Sequence, residues 1–118
     1  MSPEVQDMDY REARECIDEA NRFGHEMGLG AVTALLEEMG NPHWELACIH
    51  IAGTNGKGSV GAHIASVLAK AGYRTGRFVS PTLYGYRERI QINETWIAEK
   101  EFAACMKQTW AAVRRMLA

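Results

Sequence analysis

The sequence predicts an α/β fold, a parallel sheet flanked by helices, and three observations carry that reading. "LACIHI", Leu46 to Ile51, is a nearly continuous apolar run, the pattern of a strand buried on both faces of a parallel sheet. Val60, Ile64, Val67, Leu68 and Ala71 then recur on one helical stripe. "YRTGRFVS", Tyr73 to Ser80, reads as a second strand, halted by Pro81. A strand–helix–strand crossover of this length, Leu46 to Val79, predicts parallel strands.

The remaining elements follow from local signals. Asp9 with Glu12 forms the pattern of a capping box. Tyr10, Ala13, Ile17 and Ala20 then share a helical face, and Gly24 can end that helix. "FGHEMGLG", Phe23 to Gly30, reads as a glycine-rich loop. Val32, Leu35, Leu36 and Met39 mark a second helix, stopped by Gly40, Asn41 and Pro42. Gly72 caps the helix of the crossover. "RIQINETWI", Arg89 to Ile97, alternates in polarity and turns at Asn93-Glu94, which predicts a short hairpin. Glu99 to Leu117 places Phe102, Met106, Thr109, Val113 and Leu117 on one side of a last helix. There is no internal repeat and no low-complexity linker.

Composition narrows the function. The chain has 118 residues, of which 47% are apolar, enough for one small packed domain. Thirteen basic against fifteen acidic side chains give a net charge of −2, without the basic face a nucleic-acid binder needs. No run reaches the roughly 18 apolar residues of a membrane span. Met1-Ser2-Pro3-Glu4 is polar and acidic, unlike a signal peptide. Cys16, Cys48 and Cys105 are odd in number and scattered, suggesting neither a zinc site nor a disulfide framework. A reducing, cytoplasmic setting fits this usage.

The stretch that carries chemistry is "GTNGKGS", Gly53 to Ser59, between the apolar run and the helical stripe. The first N–H groups of a helix have no intrahelical partner and form the positive end of its dipole. A glycine-rich lead-in can curl so that several of them face one anion. A lysine in the first turn adds charge for the outer phosphates, and a following hydroxyl can ligate Mg²⁺. The match to G-x-x-x-x-G-K-S/T is imperfect, because Ile51 stands at the first glycine position and Gly58 separates Lys57 from Ser59. A tight turn with a solvated lysine is the alternative. Gly58 just inside a helix costs about 1 kcal/mol relative to alanine, which close approach of the backbone to a ligand would explain.

"IHIAGTNGKGSV" closely resembles the ATP-binding loop of the folylpolyglutamate and dihydrofolate synthases of the Mur ligase superfamily, where a glycine after the lysine is normal. The resemblance extends to Met39-Gly40-Asn41-Pro42, similar to the family's Leu-Gly-Asn-Pro, and to "AGYRTGRFVSPTLYGYRERIQIN", Ala71 to Asn93. Three separated motifs occur in order, over essentially Tyr10 to Phe102. The fold this implies is a partial P-loop (Rossmann-like) parallel sheet with flanking helices, the N-terminal part of a Mur-ligase-type ATP-binding domain. Its expected parts are a helical lead-in (1–45), strand, P-loop, helix and strand (46–80), and a loop, hairpin and helix (81–118). The C-terminal ligase domain is expected to be absent, and the chain to be a fragment.

The implied activity joins L-glutamate to a folate or dihydropteroate carboxylate through an acyl phosphate, using ATP and Mg²⁺. The resemblance assigns nucleotide contacts to Thr54, Asn55, Gly56, Lys57, Gly58 and Ser59. It assigns Mg²⁺ to Ser80, which reads equally as a strand-end hydroxyl before proline. Gly28, Leu29 and Gly30 fall where the family contacts its pterin substrate, or form a plain loop between helices. Thr82 departs from the family's Ser-Pro-His. No catalytic residue is assigned within these residues. The remaining Mg²⁺ ligands and a modified lysine are expected beyond Ala118, so the fragment alone is expected to be inactive. The parent is expected to be a monomer, and the fragment to self-associate. His50 and His63 read as packed or solvated, and Arg87, Glu88 and Arg89 as a solvated charge cluster. Rival readings are a peptidoglycan-precursor ligase, a P-loop kinase or GTPase, and a fragment that associates with itself without enzymatic function.

Overall fold

A computed structural model describes residues 8–22 and 29–117. The chain divides into two compact units, Met1–Ala47 with Glu99–Ala118, and Cys48–Ala98.

The first unit is helical. Helix α1, Tyr10–Arg22, begins with the capping box the sequence predicts. The Glu12 N–H donates to Asp9 Oδ1 at 2.8 Å, and the Asp9 N–H donates to Glu12 Oε2 at 2.8 Å. Helix α2, Gly30–Glu38, ends in a Schellman motif: the Asn41 N–H reaches the Leu36 carbonyl at 2.7 Å and the Gly40 N–H reaches that of Glu37 at 3.0 Å. Gly40 sits there at φ 84°, where a side chain would strain the backbone. A 3₁₀ turn, Pro42–Glu45, follows.

Helix α4, Glu99–Leu117, packs on both α1 and α2. Ala13 and Cys16 of α1 and Phe102, Ala103 and Ala112 of α4 are buried, and Tyr10 meets Phe102 edge to face with ring centroids 5.4 Å apart. Burial is the first cause that pushes the Cys16 thiol above its ordinary pKa, with Glu19 adding to it. Arg115 Nε donates to Glu38 Oε1 at 2.7 Å, joining the last turns of α4 and α2, an exposed pair that adds little stability. The C-terminal ends of the predicted apolar stripes are open: Ala20 of α1 and Leu117 of α4 are exposed.

The second unit holds helix α3, Lys57–Lys70, and a small sheet. Gly72, φ 94°, ends α3 in another Schellman motif, with the Tyr73 N–H on the Leu68 carbonyl at 3.1 Å. Strands β1 (Gly76–Phe78), β2 (Ile90–Ile92) and β3 (Thr95–Trp96) lie in that order, all antiparallel. Arg77 faces Gln91, and Ile92 faces Thr95. The hairpin turns at Asn93-Glu94, at φ 49° and 68°, as a two-residue turn with both residues left-handed must. A 3₁₀ turn, Tyr86–Arg89, leads into β2. Helix α3 packs on β1. Only Ala65 and Ile97 are buried among the described residues of this unit.

The α/β class stands, but the strand pairing departs from the crossover pattern. Leu46–Ile51 forms no ladder, Leu46 to His50 are exposed and Ile51 is half-buried. Among the described residues β1 pairs with β2, antiparallel, and the sheet holds no parallel pair. Among the described residues, no helix is long and apolar enough to cross a membrane.

Candidate functional site

The glycine turn enters α3 as its residue types require. Gly56, the N-cap, sits at φ 77°, and only glycine holds that conformation without strain. The first intrahelical bond runs from the Val60 N–H to the Gly56 carbonyl at 2.9 Å. The N–H groups of Lys57, Gly58 and Ser59 therefore precede the ladder, and no side chain caps them. Thr54, Asn55, Gly56, Lys57, Gly58 and Ser59 are all exposed. A Cβ at Gly58 would meet nothing within 4 Å, so packing within the chain does not demand glycine there. The arrangement offers an anion several converging donors and one ammonium group.

Behind the turn lies Arg77 of β1, which the sequence reading passed over. Its Nη2 donates to the Gly58 carbonyl at 3.2 Å. Its Nε is buried and has no hydrogen-bond partner. A Cβ at Gly61 would lie 3.7 Å from that Nε and 3.6 Å from Ile51 Cδ1, ordinary contact distances, so Gly61 borders both side chains without being required by them. The available signal was an arginine in the middle of the predicted strand Tyr73 to Ser80, one of two there with Arg74; its target lies nineteen positions away in sequence.

Ser80 follows β1 in the same unit, exposed, and joins Pro81 through a cis peptide bond. Among the described residues, no group of three or more His, Cys, Asp or Glu is placed to hold a metal ion. Ser59 and Ser80 are exposed, and each carries a hydroxyl, the hard oxygen donor that suits Mg²⁺.

Arg87, Glu88 and Arg89 are not a merely solvated cluster. The Glu88 carboxylate accepts the backbone N–H groups of Leu83, Tyr84 and Gly85, at 3.3 Å for Leu83 and 2.9 Å for Gly85. Partial desolvation opposes ionisation of Glu88, but the N–H donors of Tyr84, Gly85 and Leu83 outweigh it and hold its carboxyl below the ordinary value. Arg87 Nε donates to the Ile97 carbonyl at 2.8 Å, and Arg89 Nε makes a long contact with Thr82 Oγ1 at 3.5 Å. Glu88 and Arg89 thus brace the loop that follows Ser80, and Arg87 ties the 3₁₀ turn to Ile97.

Leu29 and Gly30 belong to the other unit, at the start of α2, and both are exposed; Gly28 lies outside the described residues. His50 and His63 are exposed.

No family model matches the chain. It is 40% identical over 99 residues to the dihydrofolate synthase/folylpolyglutamate synthase of Bacillus subtilis, a match covering 84% of this chain and 23% of that protein. The folylpolyglutamate synthetase of Lactobacillus casei superposes with a TM-score of 0.81 at 32% identity, over 92% of this chain and 27% of that one. A folylpolyglutamate synthase complex with AMPPCP and folate superposes with a TM-score of 0.80 at 30% identity, over 92% and 27%. The chain thus spans about a quarter of the length of the relatives it matches. With sequence and backbone agreeing over so much of its own length, the chain belongs to the folylpolyglutamate and dihydrofolate synthase family.

Proposed function

We propose that this chain is the nucleotide-binding part of an ATP-dependent carboxylate–amine ligase that adds L-glutamate to a folate or to dihydropteroate. One observation carries the reading: the glycine turn ends at a left-handed Gly56 and delivers the uncapped N–H groups of Lys57, Gly58 and Ser59 to open solvent. The AMPPCP and folate held by a related synthase support the substrate classes.

On this reading Thr54, Asn55 and Gly56 curl around the triphosphate, and the N–H groups of Lys57, Gly58 and Ser59 bind its oxygens. The Lys57 ammonium neutralises charge on the outer phosphates as the γ-phosphoryl group moves to the substrate carboxylate. That step forms a carboxyl–phosphate bond and releases ADP. The amine of glutamate then attacks the acyl carbon, expelling phosphate and leaving an amide. Ser59 and Ser80 are the hydroxyls that would hold Mg²⁺, which would supply charge neutralisation at the phosphates. Leu29, Gly30 and Gly28 are proposed to border the pterin. By themselves these 118 residues are proposed to bind nucleotide weakly and to lack turnover.

The test is Lys57→Ala. Its expected effect is a tenfold to hundredfold weaker affinity for Mg²⁺-ATP, roughly the worth of a hydrogen bond to a charged group. In the intact gene product it should also abolish glutamate ligation to folate and dihydropteroate. Near-normal affinity and turnover in the variant would overturn the role of the loop.

A further inference from the structure

We propose that Arg77 is a positioning residue for phosphate binding, bracing the first turn of α3 from its sheet side through the Gly58 carbonyl. The inference rests on the reading of Gly53–Ser59 as the nucleotide loop.

Three features point to it. First, Arg77 is the middle residue of β1, held in register opposite Gln91, so its stem starts from a fixed backbone. Its Nη2 reaches the Gly58 carbonyl at 3.2 Å, the peptide between the Lys57 and Ser59 positions whose N–H groups face outward. A guanidinium fixed there limits how far that turn can tilt or unwind.

Second, the contact is kept at a cost. Arg77 Nε is buried with no partner, and buried polar atoms without partners are rare in folded proteins. Such violations concentrate where function requires them.

Third, the electrostatics ask for an anion. No ion pair of Arg77 occurs among the described residues. Its charge lies against the first turn of a helix, where the dipole already favours negative and not positive groups. Arg77 is bonded to the residue next to Lys57. A buried-stem cation thus meets the positive end of a helix one residue from Lys57, with no carboxylate paired to it among the described residues. A polyphosphate bound in front of the turn relieves that repulsion, and Arg77 holds the donors in line for it.

The experiment titrates inorganic tripolyphosphate and Mg²⁺-ATP into the chain, following the amide resonances of Gly56 to Ser59 by NMR, for wild type, Lys57→Ala, Arg77→Met and Arg77→Lys. Arg77→Met should weaken binding about tenfold, the scale of one hydrogen bond to a charged group, and shift those resonances before ligand is added. Arg77→Lys keeps the buried stem and the charge but not the planar fork; it should bind at an intermediate level with a melting temperature near that of wild type. If Arg77→Met does not fold, Arg77→Lys decides alone. Wild-type affinity and unshifted resonances in the variant that folds would overturn the inference while leaving the loop intact, provided Lys57→Ala still loses binding. Equal binding, or none, by wild type and Lys57→Ala would instead remove the nucleotide-loop reading and this inference with it.

Discussion

Thr75 and Asn93 hold each other by two hydrogen bonds. The Thr75 N–H donates to Asn93 Oδ1 at 2.9 Å, and the Asn93 N–H donates to the Thr75 carbonyl at 2.9 Å. The pair ties the tip of the β2–β3 hairpin to the residue before β1, and so fixes the register that places Arg77 opposite Gln91.

This pair separates two roles of Asn93. Asn93→Gly keeps the left-handed turn but removes the side-chain acceptor; it should destabilise the chain by about 1 kcal/mol, a typical net hydrogen-bond value. Glu94→Gly should do the opposite. Glu94 sits at φ 68° without the freedom of glycine, so the substitution should stabilise by roughly 0.5–1 kcal/mol. Urea unfolding measures both, and a Glu94→Gly variant less stable than wild type would refute the turn argument.

The loop after Ser80 should loosen in acid. Glu88 has a folded pKa below its unfolded one, so the stability it contributes is present above the ordinary carboxylate range and is lost as pH falls through the depressed folded value. Hydrogen exchange of the Tyr84 and Gly85 amides should accelerate over that acid window, beyond the intrinsic pH trend. Glu88→Gln should show the faster exchange already at neutral pH. Protection that is the same in both proteins across the window would show that other contacts hold the loop.

Ser80→Ala tests the proposed metal contact. In the intact gene product the half-saturating Mg²⁺ concentration should rise, roughly threefold to tenfold for the loss of one ligand of hydrogen-bond strength. Folate affinity at saturating Mg²⁺ should stay unchanged. Superimposable Mg²⁺ titrations would return Ser80 to the role of a strand-end hydroxyl.

The isolated chain should self-associate. Phe78 of β1 is 72% exposed and Leu83 is 87% exposed, in a unit whose described residues bury few side chains. Among the described strands β1 pairs on one edge only, through β2, which leaves its other edge free to take a partner. Sedimentation should give a mass that grows with concentration, and Phe78→Ser should reduce that growth. A monomer at all concentrations would show that these apolar groups do not associate.

Local structure was legible in the sequence because its causes are local. The Asp9–Glu12 box, the glycine stops at Gly40 and Gly72, and the Asn93-Glu94 turn each depend on residues a few positions apart, and each forms where the pattern places it. The glycine turn into α3 was legible for the same reason: Gly56 must be left-handed for the helix to start at Lys57. What tertiary structure decided involves partners far apart in the chain. β1 pairs with β2 while the Leu46–Ile51 run joins no ladder, because a strand's neighbour is set by which edge the fold brings to it and not by its own apolar pattern. Arg77 reaches Gly58 because a charged side chain takes whatever donor or acceptor the fold brings within about 3 Å. The same residue types, read along the chain, carry no record of that distance.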